Sequence, residues 1–247
     1  MTSLAKQRVE EMGGRTSVLS RQKRDHIRLD ELLDRLTRLP PTQQQPVLLQ
    51  IYRLVFPHAF AEESILWPAI RRVLPDGQQL TLKVELEHQH INELVTRLEG
   101  LDPRSAERQQ VLNEVAALLR QDVRDEEDVL LPRLQSQLTP RQLRRLGAMW
   151  EAVRGIAPTR AHPVVARRPP GNVLAALPLT ALDRARDRVD ARVHRGAGVA
   201  AQPLQALSAA LGRASHAVER WPGLRSGEHP ATRLGGGSRV GAGLGTT

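Results

Sequence analysis

The side chains best able to hold a cation in this chain are His26, His58, Glu62, His88, Asp122 and Glu126. His58 lies four residues before Glu62, and Asp122 four before Glu126. On a helix that spacing puts both members of a pair on one face. Imidazole nitrogens with bridging carboxylates suit borderline metals such as iron, and the core of a helical bundle can house a two-metal carboxylate site. The chain has no cysteine, which excludes disulfides, zinc-thiolate sites and iron–sulfur clusters. A bound metal must therefore sit on His, Asp and Glu. There is no G-x-S-x-G and no glycine-rich phosphate loop after a strand, so nothing supports nucleophilic catalysis. No dedicated catalytic motif marks an enzyme; oxidative chemistry would have to arise at the metal.

Taken singly, these residues have ordinary explanations. A lone H-x-x-x-E is usually a surface pair, a lone histidine on an apolar face is usually a hydrogen-bonded core residue, and Glu62-Glu63 or Glu126-Glu127 could be solvated faces balancing arginines. Self-comparison argues otherwise. A shift of 62 places Asp25-His26 on Glu87-His88, Leu29 on Ile91, Leu32 on Leu94 and Leu36 on Leu98. A shift of 64 places Glu62-Glu63 on Glu126-Glu127, Leu66 on Leu130 and Pro68 on Pro132. Random surface pairs would not recur in register on two duplicated helix pairs, and buried ionisable groups need partners.

The elements that must position these groups are helical. Apolar periodicity predicts helices over about 16–39, 42–72, 79–98 and 104–138, with short connections that favour antiparallel neighbours. Pro57 lies inside the second and should bend it. Thr139-Pro140 reads as an N-cap followed by proline at the first helical position, predicting a short fifth helix over 140–154. Aromatics are only 2% of the chain against 40% apolar residues, so the core must be mainly Leu, Val, Ile and Ala, which suits packed helices. The prediction is an all-α, up-down four-helix bundle over 16–154.

Residues 155–247 have a different texture, rich in Pro, Arg, Gly and Ala. This tail carries 13 Arg against 5 Asp plus Glu; the first 154 residues hold 23 Lys plus Arg against 22 Asp plus Glu. The net charge of +9 thus belongs mostly to the tail. Two amphipathic helices, over 173–195 and 203–219, are expected there, with little fixed tertiary structure past about 172. The glycine-rich end from Gly235 to Thr247 is expected to be flexible. No signal peptide or run of 18 apolar residues occurs, so the sequence predicts a cytoplasmic protein without membrane contact.

Four motifs in order carry a resemblance: Asp25-His26-x-x-Leu29, His58-Ala-Phe-Ala-Glu62-Glu63-x-x-Leu66-x-Pro68, Glu87-His88-x-x-Ile91 and Glu126-Glu127-x-x-Leu130-x-Pro132. Over about residues 16–138 the chain resembles the hemerythrin-like HHE cation-binding family. The resemblance implies a non-haem diiron centre bridged by carboxylates, with His26, His58, Glu62, His88 and Glu126 as ligands and a small diatomic or peroxide molecule as its partner. It implies roles in oxygen, nitric oxide or peroxide response, or in iron handling; another divalent metal is compatible. The sequence departs from the family at Asp122, which stands where a second H-x-x-x-E would supply histidine. The extra negative charge should favour ferric ions and oppose reversible oxygen binding.

Three further expectations follow. His90, two residues from His88, falls roughly 200° round the helix axis and should face solvent. His162 could fold back from the linker to replace the missing imidazole. A ferritin-like diiron oxidase is the related alternative, since Glu85-x-x-His88 fits its Glu-x-x-His element, but Lys23 stands where the second copy needs a carboxylate. A helical interaction module with a basic partner-binding tail is the non-metal alternative; nucleic acid is not expected to bind the bundle, and the tail would make at most weak electrostatic contacts.

Overall fold

The computed structural model describes residues 1–196 and 201–233, and among these the only regular elements are helices. Helix α1 spans Val18–Arg38, capped by the Ser17 side chain. The second predicted helix is three consecutive stretches: α2 (Gln45–Ala61), a π-helical turn π1 (Glu62–Leu66) and α3 (Trp67–Val73). Then come α4 (Gly77–Glu99), α5 (Ala106–Asp125), a second π-helical turn π2 (Glu126–Leu130) and α6 (Leu131–Gln137). Helix α7 (Pro140–Gly155) begins where the sequence predicts, with Thr139 as its N-cap, and Gln142 completes a capping box.

The buried apolar residues fall into two clusters that alternate along the chain. One holds Leu29–Leu36 of α1, Val47–Phe56 of α2, Ile91–Leu98 of α4 and Val111–Leu119 of α5. The other holds Val18 and Leu19 before that stretch of α1, Leu66, Trp67 and Ile70 after α2, Val84 early in α4, and Leu130–Leu134 after α5. Each successive arm meets the clusters in the opposite order, which is the signature of an up-down-up-down bundle. On every arm the candidate ligands lie at the junction between the two clusters.

The π turns have a sequence cause. A proline lacks the donor for the carbonyl four residues earlier. Pro68 and Pro132 thereby leave the carbonyls of Ser64 and Asp128, inside π1 and π2, without their α-helical partners. The observed bonds are of the wider type: Trp67 N–H donates to Glu62 O, and Leu131 N–H to Glu126 O. By contrast, α2 continues through Pro57, and the departure from α geometry comes only at Glu62.

Helix α7 lies against α1 and α2. Gly147 makes this possible, because a Cβ there would come within 2.2 Å of the Thr16 carbonyl oxygen.

Past about residue 172, where little fixed tertiary structure was expected, the described residues are packed. Helices α8 (Gly171–His194) and α9 (Ala201–Glu219) form where predicted, but they pair as a hairpin, and residues 156–170 strap it to the bundle. The apolar core there is small, with Val165, Ala175, Leu179 and Leu224 at its centre. Buried polar contacts supply the rest. Arg160 bridges Asp187 and Asp190 at 2.7 Å each, and Arg168 reaches Glu85 of α4 at 2.6 Å. The tail was expected to make at most weak electrostatic contacts; the structure turns part of its charge inward onto carboxylates. The glycine-rich end expected to be flexible lies outside the described residues from 234 on.

Candidate metal centre

Glu62 and Glu126 occupy the first positions of π1 and π2 and are 0% and 1% exposed. Around them the bundle gathers two ligand clusters with ligand atoms within 4.8 Å of one another: His26, His58, Glu62 and Glu126 in one, and His88, Asp122 and Glu126 in the other. All six sequence-predicted residues therefore converge, and Glu126 is common to both clusters. His26 Nε2 lies 3.2 Å from Glu126 Oε2, and His58 Nε2 lies 3.0 Å from Glu62 Oε1. His88 Nε2 lies 3.6 Å from Asp122 Oδ2 and 3.8 Å from Glu62 Oε2.

The other ring nitrogen of each histidine points at a different carboxylate. His26 Nδ1 is 2.8 Å from Glu127, His58 Nδ1 is 3.1 Å from Asp25, and His88 Nδ1 is 3.0 Å from Glu63. A proton on Nδ1 donates to the carboxylate and leaves the Nε2 lone pair facing the cluster, the arrangement that orients metal-binding imidazoles. Sequence reasoning gave these three carboxylates no role of their own, although Asp25, Glu63 and Glu127 all fall inside the recurring motifs. Glu63 and Glu127 are in fact 2% and 8% exposed. The signal was present in the exact recurrence of the doublets; the π turns, which reset the helical phase at that point, were not readable from periodicity.

The donor set fits a cation. His26 Nε2, both oxygens of Glu62, Asp122 Oδ1 and Glu126 Oε1 are buried without a hydrogen-bond partner. Such groups are costly unless something satisfies them. Burial opposes charge on every one of these histidines, yet the facing carboxylates win: His26 is pushed up to about 9 by Glu126 and Glu127, and His58 to about 10 by Glu62 and Asp25. His88 is likewise raised by Asp122 and Glu63. Burial, together with the like charges of Glu62 and Asp122, pushes Glu126 up to about 8. Protons thus stand in for positive charge when no cation is bound, and a metal would have to displace them.

Two further candidates stand apart from the centre. His162 does not reach the centre: its Nδ1 meets Glu219 at 2.8 Å and its Nε2 meets Asp183 at 3.0 Å, so both nitrogens are engaged within the C-terminal hairpin. Glu85 is buried but held by Arg71 and Arg168, so Glu85-x-x-His88 does not converge as a ligand pair. His90 is exposed and pairs with Glu114 at 3.3 Å, as its helical phase predicts. A largely apolar cavity of about 30 Å³ adjoins the histidines, lined by Leu29, Val55, Phe56, Ile91 and Leu119 alongside His88 and Asp122.

Comparison with known proteins agrees with this picture. Residues 17–134 match the family described as the Hemerythrin HHE cation binding domain. An uncharacterized hemerythrin-like protein of Schizosaccharomyces pombe is 23% identical over 134 residues, 54% of this chain and 66% of that protein. A DNA nickase of Nostoc is 24% identical over 131 residues, 53% of this chain but only 37% of the nickase. The chain thus spans less than two thirds of the length of either relative. No solved structure matches it significantly. No described helix is long and apolar enough to cross a membrane.

Proposed function

Because residues 17–134 belong to the hemerythrin HHE cation-binding domain family, we propose that this chain holds a non-haem pair of iron ions and uses it on a small diatomic or peroxide ligand, in oxygen, nitric oxide or peroxide response or in iron handling. The observation that carries this reading is the sharing of Glu126 by two buried clusters, five of whose inward atoms lack hydrogen-bond partners. His26, His58, Glu62 and Glu126 would hold one ion; His88, Asp122 and Glu126 would hold the other, with Glu62 also near His88. Bound iron would supply the redox and ligand-binding chemistry.

The protein's own contribution is orientation, charge and exclusion of water. Glu127, Asp25 and Glu63 fix the Nδ1 protons and hence the direction of each Nε2 lone pair. The apolar cavity beside the histidines is large enough for a molecule of about water's size, for which roughly 10–15 Å³ suffices. It suits a small, weakly polar ligand better than a charged one. Asp122 adds a negative charge where a neutral imidazole would otherwise stand, which favours ferric over ferrous ions. That balance supports sensing or consumption of the ligand over its reversible carriage.

Metal analysis of the purified full chain, with visible spectra in air and under reductant, tests the proposal. About two irons per chain and a spectrum that bleaches on reduction are expected. A chain that takes up no iron when ferrous ion is supplied without air would overturn it.

A further inference from the structure

The three carboxylates behind the histidines are not alike in their own surroundings. Asp25 accepts from Arg154 of α7 at 2.6 Å, and Glu127 has His26 as its ion-pair partner. Glu63, like Asp25, meets an arginine from outside the family-matched region, here from the strap: Arg167 Nη1 lies 3.8 Å from Glu63 Oε1, the same oxygen that faces His88 Nδ1. Arg167 is only 7% exposed. Its Nη2 donates to the carbonyls of His162 and Val165 at 2.6 and 3.1 Å, which fixes the guanidinium to the strap. Among the described residues, Glu63 is the carboxylate within ion-pair reach of Arg167.

Neighbouring contacts hold this geometry in place. Asn172 donates to Ser64 Oγ at 3.1 Å, one residue from Glu63, and to the Arg167 carbonyl at 3.3 Å. Arg168 grips the buried Glu85 one turn before His88. The strap also donates from His162 N–H to Asn92 Oδ1 at 3.0 Å, one turn after His88. Arg167 is thus aimed at the back of one ligand by contacts on either side of it.

We infer that Arg167 is a positioning residue for the His88–Asp122 metal position, setting the donor strength of His88 through Glu63 and so making the docked C-terminal hairpin part of the metal centre. This inference rests on the metal-binding reading above. A fully charged Glu63 would draw the Nδ1 proton and make His88 a more electron-rich ligand. A guanidinium on the same oxygen draws some of that charge away. The added cation also offsets the negative charge that Asp122 brings to the same position. At the His26–His58 position the comparable cation is Arg154, which donates to the Asp25 oxygen that faces His58 Nδ1; Arg167 plays that part for His88 from the strap.

The test loads full-length wild-type, Arg167→Gln, Arg167→Lys, Glu63→Gln and the Arg167→Gln/Glu63→Gln double variant with ferrous iron without air. Iron per chain is counted, and the potential is read from the visible spectrum. Removing the cation in Arg167→Gln should shift the ferric–ferrous balance about tenfold toward ferric, roughly 59 mV for one electron. Arg167→Lys keeps the charge but not the fork, and should shift the balance about two- to threefold, within the range that supporting residues around metals can have. In the Glu63→Gln background, Arg167→Gln should add nothing. An unchanged potential in an iron-loaded Arg167→Gln protein overturns the inference, as does an equal shift in the Glu63→Gln background. Should the glutamine variant not fold, the lysine variant is read alone, and no shift there overturns it. Failure of wild-type protein to bind iron instead sinks the metal reading itself.

Discussion

The two halves of the duplicated bundle share their backbone devices and differ in their charges. Each supplies a histidine from its first arm, a glutamate at the head of a π turn, and a second glutamate that reaches across to a histidine of the other half. In the first half, His58 sits between Glu62 and Asp25, and Arg154 holds Asp25 from behind. Burial opposes ionisation of Asp25, yet His58 and Arg154 keep its carboxyl below the ordinary range. The corresponding pair in the second half is Asp122 and Glu87. Burial and then Asp122 itself push Glu87 up to about 7, and its Oε2 is buried without a partner. In the first half the charges are balanced by His58 and by Arg154 of α7; the second gathers like charges that a cation would relieve. Duplication supplied the geometry, and one substitution, with its neighbours, made the positions unequal.

The largest expected effect ignores the difference between halves. Glu126→Ala removes the one ligand common to both clusters, so iron per chain should fall from about two toward none. Retention of two irons, measured by elemental analysis, would mean that Glu126 is not shared.

Asp122→His should come next, because it erases the main chemical difference between the halves. The reduction potential should rise, and the visible spectrum should move toward that of a histidine-richer centre. An unchanged potential and iron content would place Asp122 outside the ligand set.

The supporting carboxylates should then respond unequally. Asp25→Asn weakens the hold on the His58 Nδ1 proton and should cost about 10–100-fold in iron affinity at the first position. Glu87→Gln removes a like charge beside Asp122 and should raise the melting temperature of the metal-free protein at pH 8 while lowering iron affinity less than tenfold. Equal losses of affinity from both variants would dissolve the contrast.

The smallest effect concerns the hairpin docked beside α2 and α4. His162 is pushed up to about 9 because Asp183 and Glu219 outweigh its burial. Its folded value lies above its ordinary value of 6.5, so the stabilisation is complete below pH 6.5 and is lost as pH rises through about 9. Hydrogen exchange, corrected for its intrinsic pH dependence, should therefore show α8 and α9 losing protection over that window, with α1 and α2 changing less. In His162→Gln the pH dependence should flatten. Parallel loss of protection across the bundle would show that His162 does not act on the hairpin selectively.

Much of this molecule was determined by sequence alone. The repeat at 62 and 64 residues paired the helices, and the spacing of His58 with Glu62 and Asp122 with Glu126 marked the inward face. Thr139-Pro140 placed the start of α7. These features are legible because helical periodicity and capping depend on residues within one or two turns of each other. Other features depended on contacts far apart in the chain. His162 is drawn to Asp183 and Glu219 instead of the metal centre, the tail docks through Arg160 and Arg168, and Arg167 arrives behind Glu63. Charge composition states how many arginines the tail carries but not which buried carboxylate each one meets. Ion pairs have no sequence period, so only the tertiary structure could decide that a basic tail would become the backing of one half of the site.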